Sequence, residues 1–265
     1  MLTPSPDRAL GESESIESSE TRELVRPKII CHMATSIDGR LLADRWTPPP
    51  SGVARDLLNQ HYEALAERLD ADGWLVGRKT MEHYAKGLPR PFDKVSPLPR
   101  ATHLAVRSAS AIAVAIDPRG KLHYGRNEVG GDHVVAVLGE TVSDSYLAEL
   151  RADGVSYLFA GPESTDLALA LATLKRDFSV RSLLLEGGGR TNGAFLKAGL
   201  IDELSIVVSP AVDGLSGVAS IFDYIGKADE RPADGQTLRL LAIEALDGGF
   251  VWLRYRFERV ESAPD

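Results

Sequence analysis

Residues 183–189 read LLLEGGG and run on into Arg190, Thr191 and Asn192. An apolar strand here ends in a carboxylate, Glu186, and then in Gly187, Gly188 and Gly189. Glycines let the backbone approach a ligand closely. A helix starting behind them offers free N–H groups and the positive end of a dipole, which suits a phosphate. A glycine triplet alone is equally well read as a tight strand-to-helix turn. Glu186 tips the reading, because a carboxylate directly after a buried strand sits at the carboxyl edge of the sheet, where α/β proteins place ligands.

Residues 73–80, GWLVGRKT, repeat the arrangement. A short strand leads to Gly77, and Arg78, Lys79 and Thr80 open a helix expected over residues 78–84. Cations at a helix start oppose its dipole, so this pair calls for an anion. A guanidinium fork beside helix N–H groups suits a phosphate monoester, such as the 2′-phosphate of NADP. The plainer reading is a solvated pair of surface cations. A third segment, residues 33–40 (MATSIDGR), carries Thr35 and Ser36 ahead of an Asp38–Gly39 turn. Alone it is only a turn.

These segments need a frame. Short runs rich in Val, Ile and Leu fall at residues 28–34, 74–76, 103–106, 111–116, 133–138, 155–159 and 182–185. Continuous apolar runs of that length suit buried strands. Helical patterns lie between them at residues 54–69, 144–150, 166–178 and 192–199. The first places Leu57, Leu58, His61, Leu65 and Leu69 on one stripe, and Ser164, Thr165 and Asp166 offer N-caps to the third. Strand–helix alternation predicts a mostly parallel sheet with helices on both faces. The C-terminal part differs. A strand at residues 203–208 precedes a hairpin, residues 238–245 and 251–258, turning at Asp247–Gly248–Gly249. It adds antiparallel strands to the parallel core.

The 265 residues carry 30 Lys and Arg against 38 Asp and Glu, a net charge of −8. That balance opposes a general nucleic-acid binder, which needs a basic face. No apolar stretch approaches the ~20 residues that span a bilayer. The single cysteine, Cys31, excludes an internal disulfide and any multi-thiolate zinc site, and it points weakly to the cytoplasm. Residues 1–26 include the Ser/Glu-rich run GESESIESSETRE and are expected to form a mobile acidic tail. Residues 27–265 are expected to form one domain. The six histidines show no metal-ligand spacing, so no metal is expected. Cys31, Trp74 and Trp252 read as packing groups, whereas Trp46 falls beside the 33–40 turn.

Taken together, SIDGR at 36–40, RLDADGWLVGRKT at 68–80 and LLLEGGGRTNGAFLKAGLIDELSIVVSP at 183–210 resemble a known family. It is the C-terminal reductase domain of the riboflavin-biosynthesis deaminase/reductase proteins. The resemblance runs from about Lys28 to about Glu258. It implies the dihydrofolate-reductase-like α/β fold, a three-layer sandwich. The implied activity is NADPH-dependent reduction of a 5-amino-6-ribosylaminouracil 5′-phosphate at the ribose C1′ imine, giving a ribitylamine.

The resemblance also implies roles. Thr35 and the Asp38–Gly39 backbone would border the nicotinamide, with Asp38 a candidate catalytic group beside Glu186. Gly77, Arg78, Lys79 and Thr80 would hold the adenosine phosphate end. Gly188–Ala194 would wrap the pyrophosphate, with Gly187, Gly188, Gly189, Arg190 and Thr191 as cofactor contacts. Glu186 would face the reacting carbon, and Arg68, Ser51, Leu88 and Arg90 match substrate-contacting positions. The zinc deaminase module that often precedes this reductase is not expected, for lack of its thiolates. The Pro-rich residues 46–52 depart from the family's substrate-lining loop.

Two rivals stand beside this reading. GRKT also fits a dihydrofolate or pterin reductase, but Glu186 before the glycines and the missing Trp–Pro–Asp–Leu helix start oppose it. A non-catalytic NADP-binding relative would keep the cofactor pocket without turnover. Exposed edges of the C-terminal hairpin are expected to pair across a homodimer.

Overall fold

A computed structural model describes residues 25–260, apart from 91, 93, 94, 108 and 163–165. The expected acidic tail lies outside the described residues except for Val25 and Arg26, and Arg26 already forks onto Asp202 at 2.7 and 2.9 Å. In chain order the elements begin with β1 (Lys28–Thr35), α1 (Leu57–Leu69), β2 (Gly73–Gly77) and α2 (Arg78–Met81). Next come β3 (Ile112–Ile116), β4 (Glu128–Val129), β5 (Asp132–Leu138), α3 (Asp144–Asp153) and β6 (Ser156–Phe159). Then follow α4 (Leu167–Phe178), β7 (Ser182–Gly187), α5 (Gly189–Lys197), β8 (Glu203–Val208), β9 (Gln236–Ala245) and β10 (Val251–Arg259).

The strands join in one sheet of order β4-β5-β3-β2-β7-β1-β8-β10-β9, with β6 beside β5. From β6 through β3, β2, β7 and β1 to β8 the pairing is parallel; β10 and β9 run antiparallel. Helices cover both faces because β1, β2 and β7 are apolar on both. On one face Cys31, Leu75, Leu183 and Leu185 pack on Leu171 and Leu174 of α4 and Phe195 of α5. On the other, Val76, Ala113 and Ala115 meet Leu147 and Leu150 of α3, while Val207 and Trp252 meet Leu65 of α1. Three layers result, as the resemblance implied.

Several boundaries differ from the sequence reading. Residues 103–106 form no strand; His103 makes an isolated bridge to Tyr157. The helix expected over 78–84 is only α2, and its continuation is a chain of turns. The helix expected from Asn192 starts at Gly189, so that glycine lies in its first turn. Asp166 caps α4 by accepting from the Leu169 amide at 2.8 Å, while Ser164 and Thr165 lie outside the described residues. On α1 only Leu65 of the expected stripe is fully buried.

One irregularity positions the site. Leu75 pairs with Leu185, but Val76 pairs with Gly187, so β7 carries one extra residue, Glu186, against β2. A bulge of this kind re-aims a side chain. It depends on Gly187, where a Cβ would stand 2.5 Å from Val76 Cα and 2.8 Å from the Gly77 nitrogen. Both are backbone atoms in the middle of the sheet. Gly187→Ala is therefore expected to destabilise the fold by about 1–3 kcal/mol, the range for overpacked cores, read as a lower urea midpoint.

Candidate active site

At the carboxyl edge, the ends of β1, β2, β3 and β7 bring together Thr35, Gly77, Asp117 and Gly187. The three glycines after Glu186 do different work. Gly187 and Gly189 meet protein: a Cβ on Gly189 would stand 2.2 Å from the Ser220 carbonyl oxygen. Gly77 meets Thr191, whose Oγ1 would be 2.2 Å from an added Cβ. The close approach read from the sequence is thus largely chain against chain. Gly188 is different. It adopts φ +65°, and a Cβ there would touch only the Thr80 hydroxyl at 3.5 Å. Behind it α5 starts without a side-chain cap, so its first N–H groups lie open around Arg190 and Thr191.

Arg78 does not stand as an unpaired cation. Its guanidinium bonds Glu82 one turn along, which offsets the mismatch with the helix dipole inferred from the sequence. Lys79 and Arg190 make no ion pair among the described residues. Asp117, unnoticed in the sequence, is fully buried at the end of β3. Its Oδ2 accepts from the Lys121 and Leu122 amides at 2.6 and 2.8 Å, and burial raises its pKa.

Asp38 is occupied by its own loop. Its carboxylate accepts from Ser36 Oγ at 2.6 Å and from the Gly214 and Asp213 amides at 2.8 and 3.1 Å. The Ser36 bond, followed by the two amides, holds its pKa down to about 2. It clamps the 36–40 turn onto residues 213–214, and such a carboxylate is a poor proton carrier near neutrality. Thr35 is buried beside it, donating to the Ser36 and Arg40 carbonyls at 3.1 and 3.2 Å. A small cavity of about 120 Å³ next to this turn is lined by Trp46, Ser209 and Phe250, and both Trp46 Nε1 and Ser209 Oγ are buried without partners.

Glu186 projects into a different space. A groove of about 390 Å³ runs between α1 and the β2–β7 surface, walled by Tyr62, Trp74 and Tyr84, with Leu184 and Glu186 on its floor and Glu63 and Asp132 at its sides. Trp74 is therefore a groove wall as well as a packing group, and its Nε1 donates to Asp132 at 2.8 Å. Burial pushes the Glu186 carboxyl up to about 7; the neighbouring Tyr62 hydroxyl opposes that rise, and the charges of Glu63 and Asp132 add to it. Glu186 thus holds a proton up to neutrality.

The expected substrate contacts are spread out. Arg68 forks onto Glu244 at 3.0 and 2.8 Å and lies over the Trp252 ring at 4.5 Å, outside the groove. Arg90 is paired with Asp153 on α3. Leu88 and Ser51 lie exposed on loops. The sequence reading missed Tyr62, Trp74, Tyr84 and Asp132 as groove residues. Tyr62 had a signal, since Leu58, Tyr62, Leu65 and Leu69 fit a helical stripe better than one through His61. Among the described residues no cluster of three or more His, Cys, Asp or Glu could hold a metal, and no helix is long and apolar enough to cross a membrane.

A mostly parallel α/β sheet with an uncapped helix start and flanking cations at its carboxyl edge has the arrangement in which α/β proteins bind their ligands. Comparison with known proteins makes this specific. The RibD C-terminal domain family matches residues 27–252, and the chain belongs to that family. Over 223 residues the chain is 26% identical to 2,5-diamino-6-ribosylamino-4(3H)-pyrimidinone 5′-phosphate reductase of Methanothermobacter thermautotrophicus, covering 82% of this chain and 92% of that protein. Solved structures share the fold. A pyrimidine reductase-like protein from Corynebacterium diphtheriae superposes with a TM-score of 0.60 at 19% identity, covering 88% of this chain and 93% of that one. Acinetobacter baumannii RibD gives 0.57 at 22% identity over 88% of this chain, which spans 58% of that longer protein.

The raised Glu186 pKa has a consequence for stability. From the ordinary value of 4.5 up to about 7 the unfolded chain loses this proton while the folded chain keeps it. Stability contributed by this group therefore falls as pH rises through that window. Glu186→Gln removes the penalty. At pH 8 the variant is expected to be about 1–3 kcal/mol more stable than the wild type, and at pH 4 the two should match, read from urea unfolding at both pH values.

Proposed function

We propose that this chain is an NADPH-dependent reductase of a ribosylaminopyrimidine 5′-phosphate, acting on the C1′ imine in riboflavin synthesis. The observation that carries the reading is Glu186: a carboxyl that keeps its proton to about pH 7, on the floor of an aromatic groove, one residue from the glycine turn. Family membership and the Methanothermobacter relative support the same chemistry.

The residues present fit NADPH. The open amides at the start of α5 and the uncrowded Gly188 suit its pyrophosphate, while Arg78, Lys79 and Thr80 suit its 2′-phosphate. NADPH supplies a hydride. Reducing a C=N bond also requires a proton on nitrogen, and Glu186 is placed and protonated to give it. Its two neighbouring carboxylates favour an iminium-like cation as charge develops in the groove. Tyr62, Trp74 and Tyr84 form walls against which a flat pyrimidine can lie. Arg68, stacked on Trp252 outside the groove, is the expected substrate contact that would have to leave its partner to meet the substrate phosphate. Its bond to Glu244 is exposed on both sides, and such pairs contribute only about 0–1 kcal/mol, so a phosphate dianion competes for it.

Association into a homodimer fits the sheet's free end. Leu238 and Leu240 are 49% exposed and Ile243 is 63% exposed on edge strand β9. Their charged neighbours on the opposite face are satisfied internally, Arg239 by Glu258 and Glu244 by Arg68. Ile243→Lys is expected to turn a dimer into a monomer by light scattering; a wild-type monomer at micromolar concentration removes the proposal.

The activity test follows NADPH absorbance with the ribosylaminopyrimidine 5′-phosphate. Turnover is expected with NADPH over NADH, a preference that Arg78→Ala reduces about tenfold or more. Glu186→Gln should lower kcat about 100-fold or more while leaving nucleotide binding intact. Rapid dihydrofolate turnover, or undiminished activity of Glu186→Gln, would overturn the assignment.

A further inference from the structure

Across the groove, α1 lies on β1 through one tightly cross-linked pair. The ring of Tyr62 stacks on that of His32 with centroids 4.2 Å apart and planes 24° from parallel. Each residue also bonds the other's backbone. The Tyr62 hydroxyl donates to the His32 carbonyl oxygen at 3.0 Å, and His32 Nε2 stands 3.2 Å from the Tyr62 carbonyl oxygen. A carbonyl only accepts, so Nε2 carries the proton and Nδ1 is bare. The bare Nδ1 accepts from Ser205 Oγ at 2.9 Å, and Ser205 Oγ accepts from Trp252 Nε1 at 2.8 Å. The order of protons is fixed along the whole chain of bonds. His32 is fully buried, and burial holds its pKa down to about 4, so the ring stays neutral at working pH.

That anchoring leaves the Tyr62 hydroxyl beside Glu186. The charged groups facing the carboxyl all oppose its ionisation: Glu63 from α1 and Asp132 from β5 are acidic. The remaining titratable neighbours are Tyr84, after α2, and the buried Cys31 thiol on β1. Trp74 Nε1 is committed to Asp132. Tyr62 is thus the one side chain lining the groove, among the described residues, placed to donate to an ionised Glu186.

We propose that Tyr62, fixed by His32, is the positioning residue of Glu186 and moves its hydrogen bond when Glu186 gives up its proton. With Glu186 protonated, the Tyr62 hydroxyl donates to the His32 carbonyl, as the structure shows, and its oxygen can accept from the carboxyl. Once the Glu186 proton has gone to the substrate nitrogen, the hydroxyl rotates and donates to the carboxylate. Tyr62 keeps its own proton throughout; only its acceptor changes. The catalytic part of this inference rests on the reductase reading, but the hydrogen-bond part does not.

The test is a ¹³C NMR titration of the Glu186 side-chain carboxyl in wild type and Tyr62→Phe, with Glu186→Gln fixing the assignment. A bond to a charged acceptor outweighs one to a neutral group roughly twofold, so losing the hydroxyl costs the ionised form more. The Glu186 pKa is expected to rise by about one unit, and the alkaline limb of kcat should move with it while KM for the nucleotide stays put. Ser205→Ala, which frees the His32 ring, should shift the same resonance in the same direction by less, and it serves if Tyr62→Phe fails to fold. An unchanged or lowered Glu186 pKa in the folded variants overturns the inference. A raised pKa in a protein that turns over no pyrimidine would sustain the hydrogen-bond switch and reject the reductase reading instead.

Discussion

Holding a carboxyl group out of water is unfavourable, and here the sheet is built around doing so. Glu186 stands where β7 bulges against β2, and the bulge exists because Gly187 lets two backbones meet. Any side chain at that position would force β2 and β7 apart. The same displacement would move Gly188 and the start of α5, because all three follow on one strand end. Proton donor and anion-binding turn are therefore coupled by backbone packing, not by a side-chain contact between them.

The surroundings divide the labour between two spaces. The carboxyl edge offers amides, a left-handed glycine and cations, which is electrostatics suited to phosphates. The groove beneath α1 offers aromatic walls, the Glu63 and Asp132 carboxylates and the Glu186 carboxyl, which suits a flat, amine-bearing ring. Glu186 lines the groove, and the chain links it to the carboxyl edge through Gly187 and Gly188, which follow it directly. Asp38, its expected partner in catalysis, instead ties the first turn to residues 213–214, with a pKa held too low for proton transfer at neutrality. Its contribution is to hold the loop beside Thr35 in shape.

The parallel core was readable because its strands are continuous apolar runs and its helices carry clear periodicity. The strand expected at residues 103–106 was not, since four apolar-leaning residues say nothing about how much of an edge they will pair with; only His103 pairs, in a single bridge to Tyr157 of β6. Glu186 and the glycines were legible from order alone, a carboxylate placed between an apolar run and a turn. What those glycines touch was not, because Ser220 and Val76 are distant in sequence from the residues they crowd. Arg68 illustrates the same limit: a cation in the expected place, drawn off by Glu244 on a strand 176 residues away. Tyr62 and His32 escaped notice for a related reason, since their roles arise only when α1 lies across β1.

The most direct measurement is a crystal structure of the protein with bound NADP⁺. The pyrophosphate is expected on the Gly188–Thr191 amides, the 2′-phosphate within reach of Arg78, and the nicotinamide ring bordering both Thr35 and the Glu186 groove. A dinucleotide bound elsewhere, or one whose nicotinamide lies away from Glu186, would contradict this arrangement.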